Sequence, residues 1–314
     1  LCNYQPKLSF LNVLMCLKKQ SMIKHAYLII AHNDYPVLEA LLSMLDDERN
    51  DIYLYIDKRS YSLRKQAEAF QTKKAGFYII KDPIKLYWGD VSLVKAEFTL
   101  METAVDNGDY AYFHLLSGAD LAIKSQDYIH SFFQKNAGKE FVNFWQGPEQ
   151  QRDLERKIFR YYIFTKSMKR SNNKWHTITA PCHNLLLITQ KLIHFRRKCE
   201  VDFKKGSQWF SITKDFCQYL IKQKEFVLKR FKYTLCPDEI FVQTILWNSP
   251  FKANIYSLDE DHGNMRLIDW KRGAPYNWQK GDFEEISHSD ELFARKFSSD
   301  QQELINRIVA IYSK

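Results

Sequence analysis

Four apolar, β-rich runs, each closed by polar residues, constrain this chain more than any other feature of it. The first is His25-Ala-Tyr-Leu-Ile-Ile-Ala-His32, which turns at Asn33-Asp34-Tyr35-Pro36 into the helical spacing of Val37 to Leu45. The second, Ile52-Tyr-Leu-Tyr-Ile56, ends at Asp57-Lys58-Arg59 and precedes a helix over Leu63 to Phe70. Gly76-Phe-Tyr-Ile-Ile80 predicts a third strand and Ser92 to Asp106 a long helix. Tyr110-Ala-Tyr-Phe-His-Leu-Leu116 predicts a fourth strand, stopped by the turn Ser117-Gly118-Ala119-Asp120. Continuous apolar runs suit strands covered on both faces, and strands alternating with helices imply a mostly parallel α/β sheet flanked by helices. Such sheets bind ligands beyond the carboxyl ends of their strands, which puts His32, Asp57 and the Ser117–Asp120 turn at one rim. No strand here leads into GxGxxG or GxxxxGK[ST], so dinucleotide and P-loop chemistry are not expected.

The second half is more mixed. Glu140 to Phe144 reads as a strand, and Glu149 to Tyr162 as a charged, aromatic stretch. Lys204 to Ile212 predicts a turn into a strand, Lys214 to Lys224 a helix and Arg266 to Trp270 a strand before a Gly273/Pro275 loop. Leu292 to Phe297 leads into a final helix from Asp300 to Ile311. A chain of 314 residues, 45% apolar with only ten glycines and eight prolines, can bury a large core and offers no linker. One compact unit with two halves is expected.

Six cysteines, Cys2, Cys16, Cys182, Cys199, Cys217 and Cys236, form no CxxC pair and no Cys/His metal spacing. They read as free thiols of a reducing compartment. Nothing approaches the roughly 18 consecutive apolar residues of a membrane span. Residues 1–21 are read as an extension outside the fold before a start at Met22, with a weak amphipathic membrane anchor as the rival reading. Lys18 and Lys19 follow the apolar Leu8 to Leu17 patch, the wrong side for a secretory signal. The net charge of +9 suits an anionic partner or simply a basic surface. The Lys and Arg residues read as spread out, with no RNP, helix-turn-helix or zinc-finger pattern, so nucleic acid is not an expected partner.

Cys236-Pro-Asp-Glu-Ile-Phe-Val-Gln-Thr244 is the stretch with the most chemistry in it. Pro237 suits a first helical turn, and Asp238 and Glu239 suit the partial positive charge there. By itself this is an acidic helix start. The sharper reading sets one carboxylate at the edge of a cleft as a general base.

Five blocks taken in order resemble the Core-2/I-branching β-1,6-N-acetylglucosaminyltransferase family, which also contains the peptide-O-xylosyltransferases. They are Ala26 to His32 with Tyr55 to Ser60, Tyr112 to Asp120, Lys205 to Thr213, Cys236 to Thr244, and Arg266 to Trp270 through Leu292-Phe-Ala-Arg-Lys-Phe297. The resemblance covers residues 25 to 300 or so. It implies a GT-A-type α/β fold, a nucleotide-binding half (22–135), an acceptor-binding and catalytic half (136–314), and inverting transfer of a sugar from a UDP donor without a bound metal or other cofactor. It also departs from the family at one point, where Ala122 replaces the usual Pro after the Ser-Gly-x-Asp turn.

Carried over position by position, the resemblance makes Glu239 the catalytic base and Arg266 with Lys296 the basic pair on the UDP diphosphate. Asp57 is implied at the nucleoside, Ile30, Ala31 and His32 along the uracil, and Tyr87 against the donor. The turn holding Gly118 and Asp120 falls where many GT-A enzymes carry a metal-binding Asp-x-Asp. Ser207, Gln208 and Trp209 are implied at the acceptor, where Trp270 is either a sugar platform or a packing residue. Inverting transfer needs a base for the acceptor hydroxyl and stabilisation of the departing diphosphate, and an Arg fork with a Lys charge supplies the second without a metal. GlcNAc in β-1,6 linkage is the first expectation for the sugar, with UDP-xylose or a non-catalytic nucleotide- or glycan-binding module as alternatives. The expected acceptor is a glycan or lipid-linked oligosaccharide, met in the cytoplasm at the inner face of the membrane.

Overall fold

The computed structural model describes residues 23–167, 176–198 and 201–313. The expectations for residues 1–21, Cys2, Cys16 and Cys199 lie outside the described residues. The first four predicted strands form where their apolar runs lie: β1 (Lys24–Ala31), β2 (Asn50–Ile56), β3 (Gly76–Ile79) and β4 (Tyr110–Ser117). Between them run α1 (Tyr35–Met44), α2 (Tyr61–Ala69) and α3 (Ser92–Asn107). β5 (Asp120–Ala122), α4 (Gln126–Lys135), β6 (Phe141–Val142), α5 (Gly147–Phe159) and α6 (His176–Leu192) follow. The chain continues through β7 (Phe210–Thr213), α7 (Lys214–Lys222), α8 (Lys224–Phe231) and α9 (Phe241–Trp247). It closes with β8 (Arg266–Ile268), α10 (Phe283–His288), β9 (Phe293–Arg295) and α11 (Gln302–Tyr312).

The main sheet has the order β3-β2-β1-β4-β7-β6. Its first four strands are parallel, and β7 and β6 add an antiparallel edge. This is the mostly parallel, helix-flanked α/β sheet expected above. Strand order reverses at β1, which has β2 on one side and β4 on the other. The crevice at such a reversal is where open α/β sheets hold ligands.

Alternate residues of the central strands feed two separate cores. Leu28, Ile30, Tyr53, Tyr55, Phe113 and Leu115 pack with Phe98 and Met101 of α3 and with α9. Tyr27, Ile29, Leu54, Ile56 and Leu116 pack on the other face with α1, Trp278 and Phe293. A second sheet of order β5-β9-β8 sits at that face. Its strands are three residues each, too short to show a period in sequence. The Ser117–Asp120 turn is therefore shorter than expected, because Asp120 already pairs with Arg295 as the first residue of β5.

Glu140 ties the antiparallel edge together. It is fully buried, and its carboxylate accepts from Thr213 N at 2.8 Å and Thr213 Oγ1 at 2.5 Å. Burial pushes its pKa from 4.5 up to about 7, against the opposing pull of those hydrogen bonds. The folded pKa lies above the unfolded one, so the unfolded chain gives up this proton first as pH rises. Stability from this group is present at low pH, falls between about pH 4.5 and about pH 7, and is flat above. Urea unfolding at both ends of that window should show the wild type losing about 3 kcal/mol relative to Glu140→Gln as pH rises. Parallel pH dependences for the two proteins would refute the assignment.

Candidate active site

A cleft of about 620 Å³ opens beyond the carboxyl ends of β1, β2 and β4. Its lining brings together Ile30, His32, Asp57, Tyr87, Gly118 and Lys296, all singled out from sequence, with Gln208 and Trp209 from the second half of the chain. The sheet register explains the first group. Ile30 is level with Ser117, Gly118 N donates to Ile30 O at 2.9 Å, and Asp57 N donates to Ala31 O at 3.0 Å. A Cβ on Gly118 would come within 2.8 Å of the Ala31 Cβ, so the turn can lie this close to β1 only with glycine there.

At one end of the cleft Asp57 is buried and fixed. Its carboxylate accepts from Arg59 N (2.8 Å), Arg59 Nε (3.0 Å), Arg59 Nη2 (2.7 Å) and Leu86 N (3.0 Å). Burial acts to raise its pKa, but these donors outweigh it and hold the carboxyl below its ordinary value. The Arg59 guanidinium also lies 4.9 Å from the centre of the Tyr87 ring. Asp57 is thus an ionised, positioned acceptor at a strand end.

The lining also carries further cations: Lys296 and Arg295 are chain neighbours in it, and Lys166 Nζ lies 5.9 Å from the centre of the Tyr87 ring. Arg295 Nη1 meets Asp120 Oδ1 at 2.7 Å and also donates to Ser117 Oγ, while its guanidinium stacks 4.6 Å over the Trp209 ring. Asp120 itself is buried beneath the cleft and also accepts from Ser117 N and Oγ.

Arg266 is elsewhere. It is 3% exposed and absent from the cleft lining, and it donates to Asn264 O, Phe210 O and Ser211 Oγ. Burial lowers its pKa to about 9. The structure does not bring Arg266 to Lys296 in the cleft lining, where the cation beside Lys296 is its chain neighbour Arg295. Ser207 also turns inward, with its N on Asn143 Oδ1 and its Oγ accepting from Trp209 N.

Glu239 lies in a short 3-10 turn, Pro237–Glu239, separated from α9 by Ile240 rather than opening that helix. Its side chain is 26% exposed and meets Lys157 Nζ at 3.0 Å and Lys205 Nζ at 3.9 Å. Asp153 completes the cluster, 2.5 Å from Lys205 Nζ and 3.0 Å from Lys157 Nζ. Burial opposes the Lys157 charge, yet Glu239 and Asp153 outweigh it and raise its pKa above the ordinary value. Gly206 N donates to Glu239 O at 2.9 Å, which ties the base candidate to the segment two residues before Gln208, and Glu239 itself is absent from the cleft lining. A Cβ at Gly206 would collide with Asn143 O.

A second cleft of about 460 Å³ lies on the far side of Lys205, lined by Trp145, Gln150 and Trp247 among others. Lys205 Nζ sits 4.9 Å over the Trp145 ring, and the half-exposed Trp270 meets Trp145 edge-on at 6.1 Å. Behind Gln208, the buried Glu97 accepts from Gln208 Nε2 at 2.7 Å. Burial first, and the neighbouring Asp238 second, raise the pKa of Glu97. Asp238 is raised as well, by burial and then by Glu239.

Sequence reasoning passed over Arg59, Lys157, Lys205, Glu97 and Arg295 as site residues. Two of these had a signal: Lys205 opens the Gly-Ser-Gln-Trp block, and Arg59 follows Asp57 by two residues at a strand end. An Asp-x-Asp does occur in the chain, at Asp259-Glu260-Asp261. Its Asp259 is exposed, accepts from Asp261 N and His262 N, and lies off the cleft. Among the described residues, no three His, Cys, Asp or Glu side chains gather to hold a metal ion.

A family model described as Core-2/I-Branching enzyme matches residues 25–293. Among curated proteins, the chain is 23% identical over 298 residues to Xylosyltransferase 2 of Canis lupus familiaris, covering 88% of this chain and 32% of that protein. It is 22% identical over 308 residues to Xylosyltransferase 1 of Rattus norvegicus, covering 91% of this chain and 35% of that protein. The chain spans about a third of the length of these relatives. Among solved structures, the apo form of mouse xyloside xylosyltransferase 1 aligns at a TM-score of 0.38 and 9% identity, over 86% of this chain and 96% of that one.

The burial of Arg266 separates two roles by experiment. Arg266→Met should lower stability by about 1–3 kcal/mol, because buried acceptors at Phe210, Asn264 and Ser211 lose their donor. Affinity of the folded variant for UDP, measured by calorimetry below its melting temperature, should stay within about twofold of wild type. A large loss of UDP affinity with unchanged stability would return Arg266 to the cleft.

Proposed function

The chain belongs to the Core-2/I-branching enzyme family, a family of glycosyltransferases, and from that premise we propose that it moves a sugar from a UDP donor to a glycan hydroxyl with inversion. The single observation that carries the reading is the cleft itself: it gathers the fixed Asp57 with Arg295 and Lys296, and Glu239 is tied through Gly206 to the segment that supplies Gln208 and Trp209 to its lining. Asp57 and Tyr87 suit a nucleoside, Asp57 as a hydrogen-bond acceptor and Tyr87 as a packing face. Lys296 and Arg295 suit the diphosphate.

In the proposed reaction Glu239 takes the proton of the acceptor hydroxyl as its oxygen bonds to the anomeric carbon. The bond from that carbon to the diphosphate oxygen breaks, and UDP leaves with the electron pair. The two cations stabilise the negative charge that grows on that oxygen. Lys157 and Lys205 fix the position of Glu239, and the cleft beside Trp145 and Lys205 is the approach we assign to the acceptor, with Trp270 at its edge. Glu97 holds Gln208 on the donor side.

We infer that no divalent metal or other cofactor takes part. What supports this is the state of Asp120, whose carboxylate is neutralised by the Arg295 guanidinium at 2.7 Å. The names of the relatives favour UDP-xylose over UDP-GlcNAc as donor. The acceptor is proposed to be a glycan or a lipid-linked oligosaccharide. The division into a donor half (22–135) and an acceptor and catalytic half (136–314) follows the same assignment.

UDP release from UDP-xylose and from UDP-GlcNAc, measured in excess EDTA, tests the reading. Activity should persist in EDTA and fall by about 10²–10⁴ in Glu239→Gln. Activity that requires Mn²⁺, or that survives in the variant, would refute the mechanism. Binding of UDP without turnover of either donor over a panel of acceptors would favour a nucleotide-binding module. In the same assay Arg295→Ala should lower kcat by about 10²–10³, as the loss of an oxyanion donor does elsewhere. An unchanged kcat would place the diphosphate charge with other residues.

A further inference from the structure

The net charge of the chain is concentrated in one place. Residues 156–199 hold eleven Lys and Arg and no Asp or Glu, which leaves the rest of the chain at a formal −2 against +9 for the whole. The reading of its cations as spread out is corrected accordingly. In the described part of that stretch stands α6, and its amphipathicity is reversed. Ile178, Leu185, Ile188 and Leu192 are spaced seven, three and four residues apart, which puts them on one helical face. That face is turned to solvent, with exposures of 60%, 65%, 54% and 72%. The face turned inward carries polar His183 and Gln190, both buried.

The helix is nonetheless held in place. Gln190 Oε1 accepts from Tyr161 N at 2.7 Å, Gln190 Nε2 donates to Tyr161 O at 3.1 Å, and the His183 ring lies 5.5 Å from that of Tyr162. Beside the apolar face runs a groove of about 780 Å³ lined by Arg152, Arg156, Arg160, Lys191, His194 and Arg196. Glu155 is the one acid in its lining and faces Arg196 at 3.9 Å. Arg156 is paired with Asp153 at 2.6 Å. Cations remain in excess.

We propose that the exposed face of α6, with this cationic groove, docks on an anionic lipid surface. An apolar helical stripe seats at the boundary between acyl chains and headgroups, and flanking Lys and Arg meet the lipid phosphates there. Both halves of the observation are used by that partner. A second copy of the chain would bring one cationic groove against another, and nucleic acid would use the cations and leave the Ile and Leu side chains exposed. The surface adjoins the donor cleft, since Tyr161 and Tyr162, which hold α6, lie just before Thr165 and Lys166 in its wall. The proposal stands independently of which sugar is transferred, or whether one is.

Flotation of the full chain with vesicles tests it. Binding to mixed phosphatidylcholine–phosphatidylglycerol vesicles should exceed binding to phosphatidylcholine alone by about tenfold or more, and should weaken with salt. The double variant Leu185→Ser/Ile188→Ser and the double variant Arg160→Glu/Arg196→Glu should each lose about tenfold in vesicle binding. Because the Leu185 and Ile188 side chains are exposed, the first variant should keep the wild-type melting temperature. Equal binding to both vesicle types, no binding to either, or wild-type binding by both variants would overturn the proposal. So would a wild-type dimer that Leu185→Ser/Ile188→Ser dissociates, or a duplex oligonucleotide that displaces the vesicles and binds that variant as it binds wild type.

Discussion

The contact between Asp120 and Arg295 holds the two sheets and the cleft in one arrangement. In the backbone it is a register pair of β5 and β9. In the side chains it is a buried carboxylate 2.7 Å from a guanidinium. Burial of such a pair costs more in desolvation than an isolated contact returns unless the remaining polar atoms are also satisfied. Here Ser117 N and Oγ complete the Asp120 carboxylate. The guanidinium lies over Trp209, so one side chain joins the end of β4, the small sheet and the wall that carries Gln208. Any substitution that removes only one partner leaves a buried charge behind, a more damaging change than replacement of both.

A second charge cluster does different work. Glu239 and Asp153 face Lys157, Lys205 and Arg156, two acids against three cations within one connected set of contacts. Directly behind, Glu97 and Asp238 are pushed toward their protonated forms by burial. Carboxyl groups gathered from three parts of the chain are thereby set in two environments, one beside cations and one buried in the core. Such division of like groups by environment is how one site assigns acid and base roles.

The parts of the fold legible in sequence are those with many residues saying the same thing. β1, β2 and β4 are runs buried on both faces, and their ends place His32, Asp57 and Gly118 at one rim without further information. β5, β8 and β9 have three residues each, and no period exists over that length. Arg266 shows a different limit. Its partners are the carbonyls of Asn264 and Phe210, and a backbone acceptor leaves no mark in the amino-acid string. The resemblance implies Lys296 alone of the adjacent pair Arg295 and Lys296, and the structure brings both to the cleft. The apolar spacing of α6 is that of an ordinary core helix, and only the fold reveals that the stripe points outward.

Glu239 stands at the junction of two constructions. The donor side we propose is made by parallel strands whose ends converge at a reversal of strand order. The acceptor side we propose is made by the antiparallel edge, α5 and the segment before β7. Lys205 and Gly206 cross from one to the other, with Lys205 lining the Trp145 cleft and Gly206 bonded to Glu239 O. Asn143, at the end of β6, presses against Gly206 with its carbonyl and takes Ser207 N with its side chain. The position of Glu239 relative to the cleft beyond β1, β2 and β4 is therefore set by the β6–β7 edge and not by those parallel strands. Under the proposed assignment, a change in how that edge packs would alter the approach of an acceptor while leaving the donor end of the cleft intact.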